Sequence, residues 1–205
     1  MQNVTDRTSN PFDMRPPCEA FVPGYGDANA DFHAVGDHPG VHGGADSGVP
    51  FTGTPAAERF RRALTAAGLL DEDGEPRSLF LSYLYMCVPD GEPTPEDYAA
   101  LEPFFDAELR AITAHVLLPV GERATRHVLE TYTAIDPEEA DLAAVHATEL
   151  HGSGWLVVPA LDPGEWDDAA EAAYVDALRE LRSTDYRREA DLGRFLVGPD
   201  PYRVR

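Results

Sequence analysis

The sequence predicts an α/β protein with three layers, α/β/α, in which a central, mostly parallel four-stranded sheet lies between helices. Short apolar runs alternate with amphipathic helical segments along the chain, which is the pattern of a doubly wound sheet. The apolar runs are nearly continuous, as expected for strands that are buried on both faces. The chain of 205 residues is long enough for one such domain with a sizeable core.

In the first half of the chain, a buried strand is predicted at 32–35. The loop after it extends to Gly53 and is too rich in glycine and proline for helix or sheet. Thr54 and Pro55 then supply an N-cap and a first-turn proline for a helix that ends before Gly68. The almost wholly apolar and aromatic run 79–86 predicts the next strand.

The second half repeats the alternation of helix and strand. Acidic residues in the first turn favour a helix start at 94–97, and the residues HGSG at 151–154 predict a hairpin turn. The predicted elements are helix 94–112, strand 116–120, helix 122–132, strands 145–150 and 155–160, and helix 167–181.

The chain is predicted to comprise an arm, one domain and a tail. Residues 1–29 are polar and proline-bearing, which indicates an N-terminal arm. The α/β domain is assigned to residues 30–182. Residues 183–205 are rich in arginine and are expected to pack on the same domain as a C-terminal tail.

The composition is strongly acidic. The net charge is −21, from 37 acidic and 16 basic residues, and every basic residue is arginine. Acidic excess without lysine is typical of proteins from a very salty cytosol, where salt screens the repulsion between carboxylates. DNA-binding proteins are normally basic because neutralised phosphates release counterions. At molar salt that release contributes little, so the charge disfavours DNA binding less than it would in dilute salt.

The chain has two cysteines, Cys18 and Cys87, whose separation does not suggest a structural disulfide. It shows no pattern of a signal peptide and no apolar run of about 18 residues, the length of a membrane span. The sequence therefore predicts a cytoplasmic protein that does not enter a membrane.

The glycine-rich loop after the first strand is the predicted functional site. An irregular loop at the carboxyl end of a buried strand is where α/β proteins usually keep their site. Asp37 in this loop, together with His33, His38 and His42, offers a possible metal-ligand set. Metal sites of this kind normally show tighter spacing on regular elements, so no metal is predicted.

The loop contains the pattern Gly36-x-x-Pro39-x-x-His42-Gly43, followed by Gly48 and Phe51-Thr52-Gly53. This pattern resembles the first motif of the uracil-DNA glycosylase superfamily, and the closest branch is the fifth, broad-specificity type. The resemblance continues in order along most of the chain. It includes 82–105, 115–129, and 157–166 at the place of the second motif, a His-Pro-Ser loop.

The resemblance implies a DNA glycosylase that flips out and hydrolytically removes uracil or another deaminated base. The reaction needs a carboxylate near the sugar and hydrogen-bond donors for the leaving base. Asp37 is the expected carboxylate; the alternative is that it only caps the loop. His42 matches the motif histidine and is expected to be catalytic. Asp162 is assigned to the catalytic set because it replaces the family histidine that donates to the base.

Four further residues are expected to bind the extruded base. The main chain from Gly36 to His38 would offer amides, at Asp37 and His38, to the base carbonyls. Phe51 would stack on the base, unless it is a core aromatic beneath the loop. Tyr83 would narrow the pocket or bond to a base edge.

The second-motif loop is expected to contact DNA. Gly164 and Trp166 would probe the minor groove, with the indole as a wedge. The alternative for Trp166 is a surface residue packed on the last helix. Thr54 also departs from the fifth type, which tends to have an aspartate after Phe-Thr-Gly.

The fifth type holds an iron–sulfur cluster on four cysteines. Cys87 and Cys18 match two of these positions, whereas Arg15 and Leu101 occupy the others. Two thiolates cannot hold such a cluster, so no cofactor is predicted. The arm and the neighbouring helix are then expected to be held by packing alone.

DNA that contains deaminated bases is the expected partner, and no protein partner is indicated. Two alternatives stay open. One is a catalytically inactive relative that binds nucleic acid or a protein, and the other is a hydrolase of small nucleosides. An arginine-lined or neutral groove leading to Asp37 would favour DNA, whereas a closed acidic rim would favour a nucleoside.

Overall fold

The computed structural model describes residues 8–112, 114–138 and 140–193. The first seven residues of the predicted arm and the last twelve of the predicted tail lie outside these ranges. The strands are β1 (Tyr25–Gly26), β2 (Phe32–Gly36), β3 (Leu79–Tyr83), β4 (Val116–Pro119), β5 (Leu150–His151) and β6 (Leu156–Val157). The helices are α1 (Pro39–His42), α2 (Pro55–Ala66), α3 (Pro95–Ile112), α4 (Glu122–Tyr132), α5 (Leu142–Val145), α6 (Asp168–Arg182) and α7 (Tyr186–Gly193).

The sheet confirms the predicted α/β architecture and extends it at both edges. Strands β3, β2, β4 and β6 lie side by side in that order and are parallel. The two-residue strands β1 and β5 add antiparallel edges, which gives six strands in the described part of the chain. The predicted hairpin joins β5 to β6, with Leu150 opposite Val157.

Helices cover both faces of the sheet. Helices α2 and α6 pack on one face, where Phe60 and Tyr174 are fully buried. Helices α3 and α4 pack on the other face through residues such as Phe105 and Val128. The β2 strand is buried on both sides, because Ala34 belongs to the first core and Val35 to the second. This accounts for the continuous apolar runs in the sequence.

The connections of two central strands run in opposite directions. From β2 the chain crosses through α2 to β3, on one side of β2; from β4 it crosses through α4 to β6, on the other side. Such a reversal leaves a crevice at the carboxyl ends of the two strands, where α/β proteins bind ligands. Asp37 directly follows β2 and Gly121 lies just beyond β4, so both lie at this crevice.

Local sequence signals predict most helix ends, but the structure differs from the sequence prediction at two other places. The Thr54 side chain accepts a hydrogen bond from the Ala57 N–H at 3.1 Å and caps α2 as predicted. The loop after β2 is not wholly irregular, since the His38 side chain caps the single turn of α1. Residues 145–149 are not a strand: Val145 ends the short helix α5, which the Asp141 side chain caps, and 146–149 are turn and loop.

The prediction that the two cysteines are unpaired is wrong, because Cys18 and Cys87 form a disulfide. They are 69 residues apart in the chain, but the arm runs beside the segment that follows β3. The Val22 N–H donates to the Met86 carbonyl at 2.8 Å, and the Val88 N–H donates to the Ala20 carbonyl at 2.9 Å. The arm is therefore held by a covalent bond as well as by packing.

The described part of the C-terminal tail folds back onto the start of the sheet. Arg187 and Tyr186 donate hydrogen bonds to the carboxylate of Asp31, which directly precedes β2. Ala190 is fully buried in the larger core. In residues 8–112, 114–138 and 140–193, no helix has the length and apolar character needed to cross a bilayer.

Glu108 is a fully buried carboxyl in α3. Neither carboxyl oxygen has a hydrogen-bond partner in the described part of the chain, although the main chain of Gly24 lies against it. Burial raises the pKa of Glu108 to about 8, and the contact with Gly24 offsets only part of that rise. The folded protein therefore keeps a proton that the unfolded chain releases near its ordinary pKa.

This proton predicts a stability that depends on pH. The contribution of Glu108 is full below its ordinary pKa of 4.5 and is lost as the pH rises towards 8. The loss is at most about 1.4 kcal/mol per pH unit. Glu108→Gln should remove this dependence in chemical unfolding measured against pH. Burial lowers the pKa of His33 to about 3 and gives an opposite slope in acid, so the difference between variant and wild type is the informative quantity.

The control is Glu102→Gln, which changes an exposed carboxylate in the same helix. Its stability curve should run parallel to that of the wild type. A Glu108→Gln curve that also runs parallel to the wild type would show that Glu108 is ionised in the folded protein.

Candidate active site

A cavity of about 760 Å³ lies at the carboxyl edge of the sheet, at the predicted crevice. Sites for small molecules commonly have volumes of about 300–1,000 Å³. The wall combines the loop after β2, the first turns of α3 and α4, and the loop after β6. Among its lining residues are Asp37, His42, Tyr98, Arg123, Asp162 and Glu165.

Asp37 presents its carboxylate to this cavity. One carboxylate oxygen accepts a hydrogen bond from the Tyr98 hydroxyl, and the other lies 3.4 Å from Arg123 Nε. Its side chain keeps 14% of its surface exposed, so it is sheltered but reachable. The alternative was that Asp37 only caps the loop, but its side chain contacts Tyr98 and Arg123 instead. A carboxylate held on two sides at a cavity wall has the placement that a general base needs.

Sequence reasoning missed Tyr98 and Arg123 as partners of Asp37. The Tyr98 ring packs beneath the guanidinium of Arg123, whose Cζ lies 4.5 Å from the ring centroid. Burial, and then the Asp37 carboxylate, raise the pKa of Tyr98 above its ordinary value, so it stays a donor. Arg123 follows the glycine after β4, and the rule that carboxyl ends of parallel strands share one edge could have found it.

His42 lies beside Asp37 and is held by the main chain. The Asp37 N–H donates to His42 Nδ1 at 3.0 Å. His42 Nε2 lies 3.6 Å from a carboxylate oxygen of Asp162, and the His42 side chain is 2% exposed. The structure thus brings together the three residues predicted as catalytic.

Asp162 is an ionised acceptor in this arrangement. Its carboxylate accepts a hydrogen bond from the Gly164 N–H at 2.7 Å. The His42 side chain lowers the pKa of Asp162 below its ordinary value, although burial opposes the effect. Asp162 therefore has no proton to give to a leaving base at neutral pH.

The structure places the side chains of Phe51 and Tyr83, predicted to bind the base, away from the cavity. Both side chains are fully buried, and neither lines the cavity. The Tyr83 hydroxyl donates to the Gly43 carbonyl at 2.8 Å and accepts from the Phe51 N–H at 2.7 Å, so it fixes the loop instead. Phe51 packs against Phe60, at 4.8 Å between ring centroids, and against His42. The alternative of a core aromatic beneath the loop describes Phe51.

Gly36 and His38 also support the loop. A Cβ at Gly36 would lie 2.8 Å from the rings of Phe51 and Tyr83, so this position requires glycine for packing. The His38 ring is buried and accepts the Gly40 N–H at 3.1 Å. The Asp37 N–H, predicted to bind a base carbonyl, already donates a hydrogen bond to His42.

The structure places Trp166, predicted as a minor-groove wedge, in the core rather than at the surface. The indole is 4% exposed and packs against Tyr174 of α6, and its N–H donates to the Leu161 carbonyl at 2.9 Å. Gly164 is exposed, but the residue beside it on the cavity wall is Glu165. Packing on the last helix, the alternative for Trp166, is correct, with the indole buried rather than at the surface.

The residues that the structure describes contain no ligand set for a metal ion or an iron–sulfur cluster. No group of three or more histidine, cysteine, aspartate or glutamate side chains is placed to hold an ion. His33 lies in the core, where its Nε2 pairs with the Ser82 hydroxyl at 2.7 Å, away from the other loop histidines. A four-cysteine cluster does not fit, since Cys18 and Cys87 are bonded to each other.

Comparison with known proteins points to one family. The family described as "Uracil DNA glycosylase superfamily" matches residues 23–182. The type-5 uracil-DNA glycosylase of Pyrobaculum aerophilum is 29% identical over 181 residues, or 84% of this chain and 76% of that protein. The type-4 uracil-DNA glycosylase of Saccharolobus solfataricus is 24% identical over 170 residues, or 82% of this chain and 73% of that protein. The fold, the cavity at the first motif and the length of this match agree: the chain belongs to the uracil-DNA glycosylase superfamily.

Proposed function

We propose that this protein is a DNA glycosylase that removes uracil or another deaminated base by hydrolysing its N-glycosidic bond. The observation that supports this most strongly is Asp37, which the Tyr98 hydroxyl and Arg123 hold at the wall of the cavity. The names of the relatives specify the same reaction for those proteins. A protein that acts on DNA is expected in the compartment that holds the DNA, in line with the expected cytoplasmic location.

In the proposed reaction, Asp37 acts on water. The base is rotated out of the DNA into the cavity. The water oxygen forms a bond to the sugar C1′ as the bond from C1′ to the base breaks, and the electron pair of that bond leaves with the base. Asp37 accepts the proton of the water. Tyr98 and Arg123 hold the carboxylate in place before the reaction.

The rim of the cavity has charges of both signs. Arg123 and Arg126 line it, and they pair with acidic residues, Arg123 with Glu92 at 3.4 Å and Arg126 with Glu122 at 2.9 Å. The rim is neither a closed acidic ring nor a basic groove. DNA binding at molar salt would therefore depend on shape and hydrogen bonds rather than on counterion release.

The acidic residues of the rim favour a second candidate function. Glu122, Glu130 and Glu165 line the cavity, and they would repel phosphates more than an uncharged nucleoside. A hydrolase of small nucleosides could use the same Asp37. Deoxyuridine as substrate separates the two functions.

A panel of oligonucleotides tests the proposal. The purified protein, at molar salt, should release the base from single- or double-stranded DNA with uracil, hypoxanthine or xanthine, and alkali should then break the strand at that position. An oligonucleotide with cytosine at the same position is the matched control and should stay intact. Release from deoxyuridine alone would support the nucleoside hydrolase. No product from any substrate would show an inactive member of the superfamily.

We also propose that the protein acts without an iron–sulfur cluster. The support is that the chain has only two cysteines and that the structure pairs them with each other. The side chains around the disulfide, Met86 and Leu101 among them, are apolar and buried. They offer no replacement thiolate for a metal.

A further inference from the structure

We infer that His42 donates the hydrogen bond that stabilises the leaving base, in place of the histidine that this chain lacks at position 162. The inference rests on the proposed glycosylase function, which it deepens by naming the donor. It makes His42 a catalytic residue, because its Nε2–H would contact a carbonyl oxygen of the base. Asp162 becomes a positioning residue that acts through His42.

The main chain determines which ring nitrogen of His42 has the proton. A backbone N–H only donates, so His42 Nδ1, at 3.0 Å from the Asp37 nitrogen, must be an acceptor. The proton of the neutral ring is then on Nε2. The same amide places this donor next to the residue that acts on water, since Asp37 supplies both the N–H and the carboxylate.

The donor atom has no hydrogen-bond partner in the described part of the chain. His42 Nε2 is buried, and its ring lines the cavity. A buried N–H without a partner is unfavourable, so such an atom in a native site calls for an explanation. The distance of 3.6 Å to Asp162 is too long for a hydrogen bond. A carbonyl oxygen of an extruded base would supply the missing acceptor.

The neighbouring groups are arranged for this role. Gly121 faces the ring across the cavity edge, and a Cβ there would be in van der Waals contact with Cε1 and Nε2, at 3.4 Å. The Asp162 carboxylate lies on the same cavity wall, 3.6 Å from Nε2, and its negative charge favours the neutral tautomer with the proton on Nε2. The electron pair from the broken glycosidic bond stays on the base, which later takes a proton from solvent. His42 ends the step with its proton retained.

Single-turnover cleavage of a uracil oligonucleotide tests the inference. His42→Leu, which keeps a side chain of similar size but has no donor, should lower the rate of base release about 100-fold, with little change in oligonucleotide affinity, because the hydrogen bond strengthens only as the base leaves. His151→Leu, which changes an exposed histidine of β5 that does not line the cavity, should change the rate less than about threefold. Asp162→Asn should also lower the rate of base release with little change in oligonucleotide affinity, because it removes the carboxylate 3.6 Å from Nε2 that favours the donor tautomer.

Restoration of the family residue gives a second test. The double variant His42→Leu/Asp162→His should recover activity relative to His42→Leu, because the new histidine would offer a donor from the other side. If a variant fails to fold, NMR of the wild type supplies the readout. The His42 Nε2–H signal should move when an oligonucleotide with non-hydrolysable 2′-fluorodeoxyuridine binds.

The outcomes are distinguishable. A folded His42→Leu protein with wild-type rates, or an unmoved Nε2–H signal in the complex, would overturn the role of His42 and leave the glycosylase function intact. A wild-type protein that releases no base from any substrate would instead overturn the proposed function itself.

Discussion

Asp37→Asn is expected to slow base release by about a thousandfold, since positioned acid–base groups contribute about 10²–10⁴ to enzymatic rates. Asparagine keeps the size of the side chain and can still accept the Tyr98 hydroxyl. It cannot take a proton from water or oppose positive charge on the sugar. The measurement is single-turnover release of uracil from the oligonucleotide cleaved best in the panel.

The control for Asp37→Asn is Asp46→Asn, which removes an exposed carboxylate from the same glycine-rich loop. The rate of this variant should stay close to that of the wild type. The thermal midpoints of both variants should be compared, because Asp37 also pairs with Arg123 at 3.4 Å. An Asp37→Asn protein that is folded and cleaves at nearly the wild-type rate would rule out Asp37 as the general base.

Loss of the Cys18–Cys87 disulfide is expected to have the largest effect on stability. The bond closes a loop of 69 residues, and chain entropy predicts that its removal lowers the free energy of unfolding by about 4 kcal/mol. The double variant Cys18→Ser/Cys87→Ser should show this loss in chemical unfolding at molar salt. Reductant should lower the stability of the wild type to the same level.

Reductant added to the double variant is the internal control and should change nothing. A wild type that is insensitive to reductant, or a double variant within about 1 kcal/mol of it, would show that the arm is held by packing alone. Iron and sulfide analysis of the same preparations addresses the cluster. Stoichiometric iron would contradict the proposal that the protein acts without one.

The sequence predicted the architecture because its signals are local. Thr54 before a proline, and Gly121 before a run of helix formers, mark helix starts from neighbouring residues alone. The continuous apolar runs specified central strands that are buried on both faces. The resemblance to the superfamily selected Asp37, His42 and Asp162, which the structure places around one cavity.

The contacts that sequence reasoning missed depend on the path of the chain in space. The pairing of Cys18 with Cys87 requires the arm to run beside the segment after β3, and no local pattern reports this route. Phe51 has a φ of +58°, and this left-handed conformation of the loop leaves its ring in the core rather than at the cavity. Trp166 is buried because α6 offers it Tyr174 and the carbonyl of Leu161 offers it an acceptor.

The wall around Asp37 is assembled from segments that are far apart along the chain: the end of β2, the first turns of α3 and α4, and the loop after β6. In an incompletely folded molecule, during synthesis or after damage, these segments are not brought together, so the molecule would not act on DNA. A glycosylase leaves an abasic site in DNA wherever it acts, so this dependence of the active site on complete folding protects intact bases. The protein can excise a base only once its sheet has folded completely.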